Sequence, residues 1–212
     1  MIHRDFIGHM LGHLLFGMLA PLLIVLSAPM SLLLRSIPTQ KARRLTSLLK
    51  SKPIQLFTDP LVVSLLHIGG LWLLYCTQLF SLMQQNQLLY LLVHIHIFWA
   101  GYLFTTVMLQ HEPIHHRSFF YRGFILILAI GAHSILAKYI YAFPPMGVNQ
   151  SEAELGGQLM YYGGDMIDSF LMLNLFYQWY RKEGRMYRRG VYFLEKSIIV
   201  KGENKKGEGR PW

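Results

Sequence analysis

Cysteine is almost absent from this chain: Cys76 is the only one in 212 residues. That excludes an internal disulfide, a CxxC redox motif and any thiolate-rich metal site. Charge is scarce too. Asp, Glu, Lys and Arg together make up 15% of the residues against 53% apolar, and the mean hydropathy is +0.32. This is not the profile of a soluble domain. Acidic residues are the scarcer sign, 11 against 20 Lys and Arg, for a formal charge of +9. Such a balance raises nucleic acid as a partner. Here, however, the basic residues sit in short segments between apolar runs, which is a membrane-topology pattern, and no nucleic-acid partner is expected. No cleavable signal peptide is evident, because the first apolar run is too long for an h-region and no A-x-A-like site follows it.

What is present in quantity is apolar sequence in long runs. A spanning helix needs about 20 mostly apolar residues, and five segments qualify: 10–34, 60–80, 88–109, 119–141 and 155–180. The loops alternate in charge. Segment 35–59 holds Arg35, Lys41, Arg43, Arg44, Lys50 and Lys52, and segment 110–118 holds Arg117, with Arg122 just beyond. Segments 81–87 and 142–154 hold no Lys or Arg. The positive-inside rule then puts the N-terminus outside and the C-terminus in the cytoplasm, and five spans agree by parity. The expectation is an all-α polytopic membrane helix bundle over residues 1–183. A basic cytoplasmic tail follows over 184–212, partly disordered after Val200, where the sequence turns polar and Gly-rich. Tyr177, Trp179 and Tyr180 read as an inner aromatic belt.

Ten histidines are the other abundance. His9 and His13 fall four apart on one helix face, with Met10 beside them. His94 and His96 lie two apart, on nearly opposite faces, so one of them can point into the bundle. His133 lies in the fourth run. With the topology above and a rise of about 1.5 Å per residue, all of these fall in the outer half. Asp165 and Asp168 of the fifth run and Cys76 of the second fall there as well. His67 falls nearer the cytoplasmic side. Imidazole, thioether, thiol and carboxylate together are ligand types that suit copper, with haem iron as the alternative. The plain reading of each histidine alone is an interhelical hydrogen bond, and that of Asp165 and Asp168 is an ion pair with Lys138. The methionines are mostly gap filler, and Met10 and Met160 are the two at a suitable depth.

His111-Glu112-Pro113-Ile114-His115 matches the H-E-x-x-H zinc-protease pattern. Pro113 disfavours helical geometry at Glu112 and removes a helical hydrogen bond, so the two imidazoles do not share one helical turn. Solvated loop histidines, His116 included, are the better reading, and no enzymatic activity is expected.

Taken in order, these segments resemble the CtaG-type integral-membrane cytochrome c oxidase assembly family. HMLGHLLFGMLAPLLIVLSAP resembles its HMxxHxxLxxxAPPLLxLGAP segment, and HIHIFWAGYLF its H-x-S-F-x-x-A-G-x-L-F segment, which matches His94 to the family histidine and leaves His96 as an extra. SEAELGGQLMYYGGD is similar to its acidic, Gln-rich segment leading to a Gly pair. The resemblance covers about residues 9–183. Two departures stand out. Family members usually carry one or two helices before the HMxxH segment, whereas this chain begins almost at it, as a short form or a truncated product. Tyr75 stands where the family has the histidine of W-H-x-P, with Cys76 next to it. The resemblance implies a bacterial cytoplasmic-membrane protein that helps mature a haem–copper oxidase subunit by binding copper transiently, taken from an extracytoplasmic donor. The expected ligands are His9, His13, His94, His133 and Asp165, with Met10, Cys76, His96 and Asp168 as further candidates. A haem- or quinone-binding protein using the intramembrane histidines is the main alternative, and an intramembrane zinc protease at HEPIH a minor one.

Overall fold

The computed structural model describes residues 5–110 and 117–207, with side chains described as far as 185. The H-E-x-x-H segment lies outside the described residues. Among those described, every regular element is a helix.

Helix α1, Phe6–Leu26, starts where the Asp5 carboxylate accepts a hydrogen bond from Ile7 N at 3.0 Å, satisfying one of the orphan N–H groups of the first turn. It stops before Ala28, which adopts a left-handed conformation with φ 49°, and Pro29, which cannot continue the helix. The apolar run at 31–34 therefore belongs to a separate helix, and the helix that corresponds to the expected span 10–34 is Phe6–Leu26. Three short helices follow: α2 Pro29–Ser36, α3 Thr39–Leu49 and α4 Lys52–Phe57.

Helix α5, Pro60–Cys76, is capped by Asp59, whose carboxylate accepts from Leu61 N. It breaks at Thr77, which is extended. There the Thr77 hydroxyl donates to the Leu73 carbonyl at 2.6 Å and accepts from Leu79 N at 3.2 Å, a side-chain competition typical of Thr at helix ends. Helix α6, Leu79–Gln85, turns 78° away from α5, so the second apolar run is a bent pair and not one straight span to residue 80. Asn86, accepting from Leu88 N and Leu89 N, starts α7, Gln87–Leu109. Ser118 caps α8, Phe119–Ala142, and α9 is Gln150–Gly207.

Three of these helices, α1, α7 and α8, are long and apolar enough to cross a membrane, and the bent α5–α6 pair makes a fourth if it counts as one span. The fifth expected span falls within α9, which is not among the helices that pass on apolarity; Gln158, Asp165, Asp168, Asn174 and two Gly pairs dilute it. The bundle exposes large apolar side chains while burying several polar ones. Phe16, Leu65, Ile127 and Phe120 face outward, while His9, His13, His67, His133 and Asp168 are buried. Apolar side chains on the outside, with the buried polar groups kept in an otherwise apolar interior, are what lipid solvent requires.

Glycine sets how closely the helices approach, as is usual where apolar burial does not drive association. A Cβ on Gly101 of α7 would lie 2.0 Å from the Gly17 carbonyl oxygen of α1, so that crossing admits no side chain. On α9, Gly156 and Gly163 lie two turns apart against Phe6 and Leu14 of α1, and Gly157 and Gly164 against Ala137 and His133 of α8. Two stretches wind with the wider π-type turn: His13–Leu19 in α1 and Leu65–Gly69 in α5. Each carries a buried histidine, and such turns often mark functional positions.

The chain divides into two units, Met1–Leu173 and Asn174–Trp212. In the second, the Arg181 guanidinium lies 5.7 Å over the Tyr177 ring, and Tyr177, Trp179 and Tyr180 are exposed.

Candidate functional site

The histidines arrange in levels inside the first unit. At the first level α1 brings in His9, α5 Tyr75 and α7 His94. His9 Nε2 lies 3.1 Å from the Tyr75 hydroxyl, and the His9 and His94 rings are 5.4 Å apart between centroids. His94 Nδ1 donates to the Tyr90 carbonyl at 2.8 Å. A carbonyl accepts only from N–H, so this bond fixes the tautomer and leaves the Nε2 lone pair available, the arrangement that prepares a histidine to bind a metal. Tyr75 thus occupies the place of the histidine it replaces in the resemblance and contacts the site directly. Phe6 and Phe80 close over this level, 5.4 Å apart, with Phe80 edge-on to His9 at 5.2 Å. Met10 and Met160 are fully buried in the same apolar cluster.

One helical turn along α1, about 6 Å further, His13 faces His133 of α8. Their centroids are 6.2 Å apart, and the two residues are 2% and 1% exposed. No nitrogen of either ring has a hydrogen-bond partner. Asp168 Oδ2 lies 3.9 Å from His133 Nδ1, beyond hydrogen-bond length but within ion-pair range. Gly164 leaves room for the His133 ring, since a Cβ there would lie 2.3 Å from its Cε1.

A third level is His67 of α5, stacked on Phe104 at 5.2 Å and 4% exposed. The sequence set it aside as a residue of the cytoplasmic side. The structure instead puts it within electrostatic reach of both His13 and His133. The glycine beside its ring is Gly101 of α7, where a Cβ would lie 3.4 Å from His67 Cε1, a neighbour that the periodicity of α5 cannot announce.

The remaining candidates fall elsewhere. Asp165 accepts from the Ser134 hydroxyl at 3.1 Å and faces His133 only at longer range; of the two aspartates, Asp168 is the buried one. Gln158 and Tyr162, on the same helix as Asp165, are exposed. His96 is exposed and donates Nε2–H to the Leu66 carbonyl at 3.2 Å, a structural bond across the widened turn of α5. Cys76 is exposed. Lys138 lies 5.0 Å over the Tyr161 ring, in place of the ion pair with Asp165 or Asp168 that the sequence allowed. Among the described residues no three of His, Cys, Asp or Glu converge as a ready-made metal site; the donors come in pairs.

The other end of the bundle is built differently. Asp59 pairs with Arg117 at 2.9 Å and accepts from the Tyr121 hydroxyl at 2.8 Å. The buried Arg122 donates Nη1–H to the Met108 carbonyl.

The family model for the cytochrome c oxidase caa3 assembly factor matches residues 1–182, and the chain belongs to that family. A 112-residue stretch is 29% identical to an uncharacterized protein of Mycobacterium bovis and, equally, to one of Mycobacterium tuberculosis. It covers 50% of this chain and 17% of each of theirs, so the chain spans about a sixth of the length of those relatives. No solved structure matches the chain.

Proposed function

We propose that the chain binds copper transiently along its histidine levels and passes it to a haem–copper oxidase subunit in a bacterial cytoplasmic membrane. One observation carries the proposal: His13 and His133 face each other, buried, with four unpartnered ring nitrogens. A buried polar group left unpaired costs roughly 1–3 kcal/mol, and two such rings side by side call for an occupant. Metal–nitrogen bonds of about 2.0 Å put two opposed imidazole centres roughly 6 Å apart, which agrees with the 6.2 Å between these two.

In this reading copper arrives from an extracytoplasmic donor at His9 and His94, with Met10 beside them. It moves one turn deeper to His13 and His133, where Asp168 offsets its charge. His67 forms the deep end. Pairs of donors suit cargo that must leave again, because a full ligand set would hold it. The topology that places this half outside is the one the basic segments support. Haem is the second reading, and an optical spectrum separates the two.

The test is oxidase maturation in cells. His13→Ala/His133→Ala is expected to leave oxidase subunits present but depleted of copper. Normal copper content in that oxidase would reject the transfer role, and a Soret band in the purified wild-type chain would replace copper with haem.

A further inference from the structure

The helices long and apolar enough to cross a membrane do not include α2, α3 and α4, which occupy the stretch between α1 and α5. None of them buries a residue. Residues 29–58 hold six basic side chains and no acidic one. On α3 the angular order is amphipathic: Ala42, Leu45, Leu48 and Leu49 share one side, interrupted by Lys41, and Gln40, Arg43, Arg44 and Ser47 the other. Leu32, Leu33, Leu48, Leu56 and Phe57 are exposed, although nothing in the bundle covers them. Between α3 and α4 lies a shallow groove of about 780 Å³, whose lining includes Arg43, Lys50, Lys52, Ser47 and Ser51. With Thr39 and Thr46 also in the lining, it carries three cations and four hydroxyl groups, with apolar side chains beside it.

We propose that α2–α4 form an interfacial platform that binds anionic phospholipid, with the groove holding the headgroup phosphate and the exposed leucines and Phe57 lying among the acyl chains. Charge complementarity selects this occupant. A free anion would use the cations but leave the apolar rim in water, whereas a neutral lipid would cover the rim but leave the cations unmatched. Basic residues next to a spanning helix attract anionic lipid additively, and an amphipathic helix with a basic polar face lies in the interface plane.

The test uses the full chain reconstituted in phosphatidylcholine vesicles carrying spin-labelled phosphatidylglycerol or spin-labelled phosphatidylcholine. The wild type is expected to enrich the anionic probe several-fold over the neutral one, and high salt is expected to lower that enrichment. Arg43→Gln/Lys50→Gln/Lys52→Gln is expected to abolish the preference while leaving the thermal midpoint unchanged. Equal association of both probes with the wild type, or an unaltered preference in the variant, overturns the proposal. A second arm places a nitroxide at residue 56 (Leu56→Cys in a Cys76→Ser background). Relaxation by oxygen dissolved in lipid supports the platform; relaxation by a water-soluble nickel chelate, or displacement of the anionic probe by equimolar inorganic phosphate, overturns it in favour of a free-anion site.

Discussion

The two ends of the bundle satisfy their buried charged and titratable groups to different degrees. At the Asp59 end each charged group meets at least one partner: Asp59 has Arg117 and Tyr121, and Arg122 has the Met108 carbonyl, with only the Nε of each arginine left over. In the histidine half, His13 and His133 are buried more deeply and have no hydrogen-bond partner at all. Both ends belong to one family fold, so the difference is not a matter of how well the chain packs. Satisfied buried polar groups hold a structure together. Unsatisfied ones weaken it and persist for what they do. The contrast is what the proposed copper role rests on: the paired end suits a stabilising role, and the unpaired histidines suit the proposed site.

The sharpest way to break the comparison is to remove the glycines that make room for the histidines. Gly101→Ala sets a Cβ against the Gly17 carbonyl, and backbone cannot yield as a side chain can. It is expected to cost about 3 kcal/mol or more, read as loss of folded protein in detergent. Gly131→Ala, where a Cβ meets nothing within 4 Å, is the control and is expected to be neutral or slightly stabilising.

Next in size is the exchange of roles between the ends. His13→Ala/His133→Ala is expected to lower copper affinity at least tenfold, yet to leave the thermal midpoint unchanged or raised, because it deletes two unsatisfied groups together. Asp59→Asn is expected to do the reverse: about 1 kcal/mol of stability lost, through a weakened ion pair and cap, with copper binding intact. Equal loss of stability from both changes would erase the distinction. Asp168→Asn should weaken copper binding several-fold with little effect on stability, and Cys76→Ser, at an exposed position, should alter neither.

Much of this was legible in the sequence, for reasons that individual residues explain. The long apolar runs read well. Asp59, Asn86 and Ser118 each start a helix where an apolar run begins, and the all-helical membrane bundle follows from those runs. The pairing of His9 with His13 on one face was visible as spacing. Three things were not. Pro29 and Thr77 end their helices inside apolar sequence, so hydropathy alone does not mark those ends. The choice between Asp165 and Asp168 depended on which face of α9 turns inward, and the Gly156/Gly157 and Gly163/Gly164 pairs decide that through close approach to α1 and α8. His67 was hidden by depth counting, which treats a helix as isolated, whereas the structure brings that histidine within reach of His13 and His133.

The most direct test of the central claim is X-ray absorption at the copper edge on the detergent-purified chain loaded with copper(I), compared with His13→Ala/His133→Ala. The expected spectrum shows imidazole nitrogen scattering at about 2 Å, lost in the double variant. Sulfur-dominated scattering, or an unchanged spectrum and copper content in the variant, would contradict the assignment of these two histidines.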